Sequence, residues 1–375
     1  MPFSGRLLTS TVFQEGKLRL ALEQQTLDDP GAGEIVVRVE AAPMNPSDLG
    51  LLLGPADLAT LRTAGTPDLP ALDFDIPPER LAAVAARFGQ ALAVGNEGAG
   101  TVLAAGEDFK HLIGTRVGMF GGGMFADVRK LAGADVLPLP AGASAAEGAA
   151  MFVNPLTALG FVETARREGH TAIIHTAAAS NLGQMLQKIC LKDGVPLVNI
   201  VRSAEQEQLL RDLGASIVVD STAPDFRDRL QQAVDDTGAT VAFDAIGGGR
   251  IGSDVMAAME RSATKRETAY SRYGSDTFKQ LYLYGRLDPG LTVLNRPAFG
   301  SQWSVSGWLL MPFLKRAGEE TAARMRKRVA DELTTTFASH YSRTIGLAEA
   351  LEPDVLRAYE RKSTGQKYLI DPTIG

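Results

Sequence analysis

Residues 173–190 read IIHTAAASNLGQMLQKIC. A short apolar run gives way to small residues, then to a stretch with apolar side chains at helical spacing. That is the pattern of a buried strand, a tight loop and an amphipathic helix. As a glycine fingerprint it is sparse: Gly183 holds a fingerprint position, while Ala178, Ser180, Asn181 and Leu182 surround it. Small side chains let backbone approach a pyrophosphate, and a helix N-terminus presents unpaired N–H groups and a positive dipole to it. Ser180 and Asn181 add hydrogen-bonding side chains. An ordinary strand–helix turn has the same appearance when the loop is read alone.

The next strand narrows the choice. PLVNIV (196–201) ends in Arg202, 19 residues beyond Gly183, where NAD-binding units usually carry an acidic residue for the ribose hydroxyls. A guanidinium followed by Ser203 suits a 2′-phosphate instead, so the residues favour NADP(H) over NAD(H); a solvated surface arginine is the alternative. Further short apolar runs follow at SIVVD (216–220), VAFDAI (241–246), LYLYG (281–285) and WSVSGW (303–308), most of them separated by helix-like segments. Such alternation implies βαβ units and a doubly wound parallel sheet covered on both faces.

Upstream of about Asn154 the rhythm is different. In GAGEIVVRVEAA (31–42), Ile35, Val37 and Val39 alternate with Arg38 and Glu40, as in a half-buried strand. GNEGAGTVLAAGEDF (95–109) and GTRVGMFGGGMFADVRK (114–130) continue the β pattern, with glycines for bulges and bends. Between them Pro77–Leu92 predicts a helix, with Leu81, Val84, Ala85 and Phe88 on one face. The tail predicts a charged helix near 318–333, then SRTIG, a short helix and KYLID. The expected organisation is an α/β chain: a barrel-like β domain over 1–152 with a helical insertion at about 55–94, a nucleotide domain over 153–308, and a return to the first domain over 309–375.

Composition sets limits on function. The 375 residues are 45% hydrophobic and 22% charged, enough for a large core. A net charge of −6 disfavours nucleic acid and anionic membrane surfaces as partners. The single cysteine, Cys190, excludes an internal disulfide and a cysteine-cluster metal site, and it predicts a reducing compartment. No segment reads as membrane-spanning: the apolar stretch Val136–Val153 is interrupted by Pro138, Pro140 and Glu147. Residues 1–16 lack the apolar core of a secretory signal, so a cytoplasmic location is expected.

Taken together, GEIVVRVEAAPMNPSD (33–48), GNEGAGTVLAAGEDF (95–109), VGMF (117–120), VNPLTALG (153–160), the 173–190 unit, LGASIVVD (213–220), VAFDAIGG (241–248) and STGQKYLID (363–371) stand in the order of one family. The chain resembles the medium-chain dehydrogenase/reductase superfamily along nearly its whole length. The resemblance implies a GroES-like β-barrel domain, a Rossmann domain and a cofactor cleft between them. The zinc alcohol dehydrogenases of that superfamily carry ligands where this chain has the Asn45–Asp48 segment, Asn96, and Val153 or Asn154, so no zinc is expected. The branch resembled is the zinc-independent one, with quinone oxidoreductases, zeta-crystallin-like proteins and enoyl thioester reductases. Enoyl thioester reductases carry a tyrosine proton donor shortly after the NPSD motif. Here that place falls near Ala56, and the first tyrosine is Tyr270.

The resemblance also suggests roles for individual residues. Asn45 and Asp48 match residues lining the nicotinamide pocket, although Asn-Pro and Ser-Asp also favour a plain turn. Asn154 and Thr157 match the segment beside the nicotinamide ring. Ala245, Ile246, Gly247, Tyr284 and Gly285 match the loops along the cofactor, and Lys367 matches a position that can reach NADP phosphate. His175 and Cys190 read as packed core residues. Residues 261–280 read as a solvated insertion, with Tyr270 and Tyr273 as alternative proton donors. The expected function is NADPH-dependent hydride transfer to a quinone or other conjugated carbonyl. Enoyl thioester reduction is the runner-up, and a low-turnover, crystallin-like NADPH-binding protein is the third reading. The expected partner is a small-molecule acceptor. A homodimer through the WSVSGW edge is expected as well.

Overall fold

The computed structural model describes residues 2–360 and 367–374. Residues 1–153 with 329–375 form one compact unit and residues 154–328 a second. The chain thus returns to the first unit at Val329, later than the expected 309, because Arg324 and Arg328 still pair with Glu163 and Asp193 of the second unit.

The first unit is built on two sheets, antiparallel except where Arg343–Ile345 pairs in parallel with Tyr368–Ile370. Strands β1 (Phe3–Phe13), β2 (Lys17–Leu27) and β3 (Glu34–Pro43) open it, followed by the short helix α1 (Asp48–Leu52). The insertion does not begin as a helix: β4 (Asp57–Gly65) and β5 (Pro70–Asp75) form a hairpin whose inner strand adds to β2. Leu72 and Phe74 bury one face of β5, and Arg19–Asp73 and Arg62–Asp75 ion pairs join the strands on the other. Only Pro78–Leu81 (α2) is α-helical after that. Ala82–Arg87 tightens to a 3₁₀ turn, and Gly89 at φ +69° ends it. With β6 (Leu92–Ala93) the first sheet runs β4-β5-β2-β1-β6. The second sheet uses β7 (Glu97–Ala105), β8 (Arg116–Phe120), β9 (Val128–Ala132) and β10 (Val136–Pro138), with β3 at its centre. Two strands after the return, Arg343–Ile345 and Tyr368–Ile370, extend it beside β3.

Helices α3 (Ala145–Gly148) and α4 (Val153–Arg167) follow. Residues 145–167 have the length and composition of a membrane span, contrary to the reading of the sequence, but 78% of the apolar window is buried inside the protein. A helix apolar all round is what a core position demands.

The second unit alternates strand and helix: β11 (Ile173–His175), α5 (Asn181–Asp193), β12 (Leu197–Val201), α6 (Ala204–Asp212), β13 (Val218–Asp220), α7 (Phe226–Thr237) and β14 (Val241–Asp244). After β15 (Gly247–Gly249) and α8 (Ile251–Arg266) come β16 (Lys279–Leu283), β17 (Asp288–Thr292) and β18 (Trp303–Gly307), then α9 (Leu310–Ala317) and α10 (Glu319–Asp331). The six-stranded sheet is parallel throughout, in the order β13-β12-β11-β14-β16-β18. Ile174, Val198, Ala242 and Leu281 fill its centre, which explains why these strands read as unbroken apolar runs. This is the Rossmann half of the expected architecture, and the first unit is the GroES-like half.

The segment 261–280 is only partly the solvated insertion expected. Residues 261–266 continue α8, and residues 267–273 are exposed. The segment is nonetheless pinned by a buried ion pair. Lys279 Nζ donates to Glu260 Oε2 and, at 3.1 Å, to Ser275 Oγ, while Ser275 donates its N–H (2.8 Å) and hydroxyl (2.7 Å) to the same carboxylate. Gly274 and Gly300 lie so close that a Cβ on either would fall within 2.4 Å of a Glu260 oxygen. Removing one partner strands a buried charge, which typically costs ~3–5 kcal/mol. We therefore expect Lys279→Met to destabilise the second unit by about that amount, and Lys279→Met with Glu260→Met by distinctly less. Urea unfolding followed by tryptophan fluorescence checks this, since Trp303 and Trp308 are the chain's two tryptophans and both lie in this unit.

Candidate functional site

In the second unit the loops after β11, β12, β14 and β16 meet at the carboxyl ends of the strands, where open parallel sheets take ligands. The loop after β11 turns sharply at Ala177, the one non-glycine residue at positive φ (50°) among the described residues. Ser180 then caps α5, its Oγ accepting the Gly183 N–H at 3.2 Å. Gly183 is required by packing: a Cβ there would lie 2.1 Å from the carbonyl oxygen of Ala178. Ala178 itself donates its N–H to the Ile200 carbonyl (3.1 Å), holding the loop against β12. The result is a close backbone turn feeding a 13-residue helix.

Asp244, at the end of β14, organises the neighbouring loops. Its buried carboxylate accepts from Thr176 Oγ1 (2.6 Å), Ile246 N–H (2.8 Å) and Gly247 N–H (3.2 Å), and Thr176 Oγ1 in turn accepts from Ala245 N–H (2.9 Å). The residue was missed from the sequence; its only signal was an acid closing an otherwise apolar strand. Gly285 fits because a Cβ there would lie 2.5 Å from the Ala245 carbonyl oxygen. Tyr284 hydrogen bonds through its hydroxyl to His175 Nε2 (2.7 Å). Burial pushes the His175 imidazole down to about 3, so it is neutral in ordinary buffers and fits the core role expected of it. Cys190 is likewise buried, with its thiol pushed up to about 12. Leu182 and Asn181 open α5, Asn154 and Thr157 lie in the first turns of α4, and Phe161, one turn on, stacks against Phe243 and packs edge-on to Tyr284.

Arg202 stands exposed at the end of β12. Its N–H donates to Gln206 Oε1 (3.1 Å), and its guanidinium makes no hydrogen bond or ion pair among the described residues. An unpaired fork one residue beyond a central strand is available to an anion.

The first unit holds a separate polar cluster that is almost wholly buried. Asp48 Oδ2 accepts the Asn45 N–H (2.8 Å) and Oδ1 the Asn96 N–H (2.9 Å). Asn45 Nδ2 donates to Glu97 Oε1 (2.8 Å), and Glu97 Oε2 takes the N–H groups of Phe152 (3.0 Å) and Val153 (2.8 Å). Asn45 Oδ1 and Lys367 Nζ are both buried without a partner. Lys367, expected from the resemblance to reach NADP phosphate, has its Nζ buried 5.5 Å over the Tyr341 ring, within electrostatic reach of Glu97 and Asp48. Burial raises Glu97 and lowers Lys367, each opposed by the attraction of the other. Asp48 is pushed up to about 7, chiefly by burial and also by Glu97, against the pull of the two backbone N–H groups and Lys367. At the positions named for zinc ligands stand the amides of Asn45 and Asn96 and the Asp48 carboxylate, which accepts two backbone N–H groups. Among the described residues, no three His, Cys, Asp or Glu side chains are grouped to hold a metal ion. Ala56, where the tyrosine donor of enoyl thioester reductases would fall, is buried in the core of this unit, and Tyr270 and Tyr273 are exposed.

No family model matches the chain. The mitochondrial enoyl-acyl-carrier-protein reductase of Xenopus tropicalis is 30% identical over 234 residues, covering 58% of this chain and 57% of that protein. The chain spans about half the length of the curated relatives it matches. Among solved structures, a Mesorhizobium loti protein provisionally named an NADPH:quinone reductase superposes with a TM-score of 0.72 at 24% identity, covering 99% of both chains. Escherichia coli quinone oxidoreductase complexed with NADPH gives 0.68 at 20% identity, covering 99% of this chain and 100% of that one. At these identities the likeness establishes the fold.

Asp48 makes stability depend on pH. Its folded value of about 7 stands above the ordinary 3.8, so the unfolded chain gives up this proton first. The group's contribution to stability therefore falls as pH rises from about 4 to about 7 and is level above that. Asp48→Asn should remove this part of the slope, on the order of 4 kcal/mol at most. Unfolding midpoints of both proteins between pH 4 and 8 measure it; parallel curves would show that Asp48 is ionised throughout.

Proposed function

We propose that this chain, whose fold is that of the quinone oxidoreductase-like branch of the medium-chain dehydrogenase/reductase superfamily, is an NADPH-dependent reductase of a quinone or other conjugated carbonyl, working without zinc. The observation that carries the reading is the second unit's strand–loop–helix: a backbone approach that admits no Cβ at Gly183, with the unpaired Arg202 fork at the end of the adjacent strand. Those residues fit a dinucleotide. The Ser180–Gly183 turn and the start of α5 would hold the pyrophosphate, and Arg202 the 2′-phosphate. Residues 245–247 and 284–285 would run along the cofactor as a wall that Asp244 keeps in place. NADPH supplies the reducing equivalent, and the chain supplies binding and orientation.

The remaining residues are assigned supporting roles. Asp48 is a positioning residue, since its carboxylate fixes the backbone at Asn45 and Asn96. Asn45 is the candidate for contact with the acceptor, having one buried oxygen without a partner. Asn154 and Thr157 are proposed beside the nicotinamide, as in the family. Edge strand β18, which among the described residues pairs only with β16, is the proposed meeting edge of a homodimer.

Charge-assisted hydrogen bonds to phosphate are worth ~1.5–3 kcal/mol. Arg202→Asp should accordingly weaken NADPH binding by about tenfold or more and affect NADH far less, as read by fluorescence titration with each cofactor. Equal affinity of the unmodified protein for the two would refute the assignment.

The similarity to an enoyl reductase favours enoyl thioester reduction as the second reading. That reaction needs a proton at carbon, and a placed general acid is typically worth ~10²–10⁴ in rate. With Ala56 in the donor's place, quinones, whose oxygens take protons from water, should be reduced far faster than enoyl thioesters. An NADPH oxidation assay across quinones, enones and enoyl thioesters, with a chelator present, makes the comparison. Dominant enoyl turnover that falls sharply in Tyr270→Phe or Tyr273→Phe would move the donor to the exposed loop and promote the second reading.

A further inference from the structure

Asn45 has four kinds of hydrogen-bonding group, and the fold uses three of them. Its N–H donates to Asp48 Oδ2 (2.8 Å), and its carbonyl accepts the Asp48 N–H (3.0 Å). Its side-chain Nδ2 donates to Glu97 Oε1 (2.8 Å). The fourth, Oδ1, is buried without a partner, in a residue only 2% exposed. The large majority of buried side-chain polar atoms have a partner, so this orphan calls for one.

Glu97 decides which end of the amide is left over. It lies wholly out of solvent, and its other oxygen, Oε2, takes the N–H groups of Phe152 (3.0 Å) and Val153 (2.8 Å). An ionised carboxylate only accepts hydrogen bonds. The Asn45 amide must therefore turn its nitrogen to Oε1; turned over, it would set one acceptor oxygen against another. Burial works against the charge of Glu97, while Lys367, Asn45 and the two backbone N–H groups support it. Asp48, Tyr341 and Lys367 are the titratable groups within electrostatic reach of Glu97, and none of them bonds to Asn45 Oδ1.

We infer that Asn45 Oδ1 is a specificity-determining contact for an acceptor that carries an N–H or O–H donor beside its conjugated carbonyl, such as an amino- or hydroxyl-substituted quinone. The inference rests on the reading of Asn45 as the residue that meets the acceptor. A bare carbonyl oxygen set against Oδ1 would be repelled, and both acceptors would stay buried without a donor. A substituent N–H or O–H in the same place satisfies Oδ1. Sites built to bond such a group discriminate against analogues that lack it, because the protein atom is then left unpaired. The amide selects the acceptor's substituent and takes no part in moving hydride or proton.

Equilibrium dialysis in the presence of NADP+, which cannot reduce the ligand, compares three probes by their absorbance. They are menadione, its analogue with an amino group in place of the methyl, and the methoxy analogue. The amino compound should bind about tenfold more tightly than menadione, and the methoxy compound no better than menadione. Asn45→Leu should bring the amino and methyl compounds to equal affinity. Glu97→Gln gives the sharper readout. Its side-chain oxygen can keep the Phe152 and Val153 N–H groups while its nitrogen faces Asn45, so the Asn45 amide turns over and offers Nδ2 to the ligand. The preference should then move to the methoxy compound, a change that loosened packing does not produce. If Glu97→Gln fails to fold, the Asn45→Leu comparison decides alone.

The inference is overturned if the amino compound does not bind, or binds the unmodified chain no better than menadione. A preference for it that survives Asn45→Leu or a folded Glu97→Gln also overturns it. So does an Asn45→Leu variant that binds NADP+ more weakly with the probe ratio unchanged, because Oδ1 then belongs to the cofactor. Turnover is read separately. The amino preference without NADPH oxidation would count against the reductase reading alone, and NADPH oxidation without the preference against this inference alone.

Discussion

The buried carboxylate of Asp244 holds the working end of the second unit together. Three donors from two different loops converge on it, and one of them, Thr176 Oγ1, passes the connection on to the Ala245 N–H. A carboxylate taken out of water is tolerated only when its lone pairs are filled, and filling them fixes the loops that supply the donors. The loop after β11 and the loop after β14 are therefore one object. That rigidity lets backbone come within contact distance of backbone at Gly183 and Gly285, where no side chain fits. The αL turn at Ala177 belongs to the same logic: a strained residue persists where its surroundings determine it on every side.

The first unit follows the opposite course. Its polar cluster keeps two buried carboxylates and one buried ammonium within reach of one another, and leaves an amide oxygen and the ammonium without hydrogen bonds. Such a cluster is costly to hold, and incomplete satisfaction of buried polar atoms is typical of places that meet a ligand. Asp48 and Glu97 stand on different elements, α1 and β7, yet both serve to fix the backbone around Asn45, one through its N–H and the other through its side-chain amide.

Charge in this chain is arranged by burial as much as by sign. Lys279 and Glu260 are paired out of solvent and bind a loop. Glu163 and Asp193 each meet two arginines at the surface. The Arg202 guanidinium is left unpaired among the described residues at the end of a strand. These three arrangements of the same residue types have three different consequences, and only the last was visible as a candidate site in the sequence.

Much of the fold was legible because periodicity is local. Short apolar runs such as those that open Ile173–His175 and Val241–Asp244, repeated between helix-like segments, point to strands buried on both faces, and Gly183 with Ser180 marks where a helix starts close to a strand. Arg202 was legible for the same reason, since its distance from Gly183 along the chain fixes its place at the end of the next strand. The 55–94 insertion was misread because Leu81, Val84 and Phe88 keep helical spacing, while the hairpin before them is held by partners on β2 that lie about 50 residues away in the chain. The burial of Lys367 Nζ was not legible for a similar reason: it depends on Tyr341 and Glu97, which no spacing rule connects to it. Asp244, Glu97 and the doubled arginine pairs belong to this second group. The sequence by itself determined the alternation of strands and helices and the small-residue turn, because those depend on neighbours within a few residues. Which charges are paired, which are buried and which are left free was decided by tertiary structure, because electrostatic energy depends on distance and solvent exposure, and both are settled only when distant segments meet.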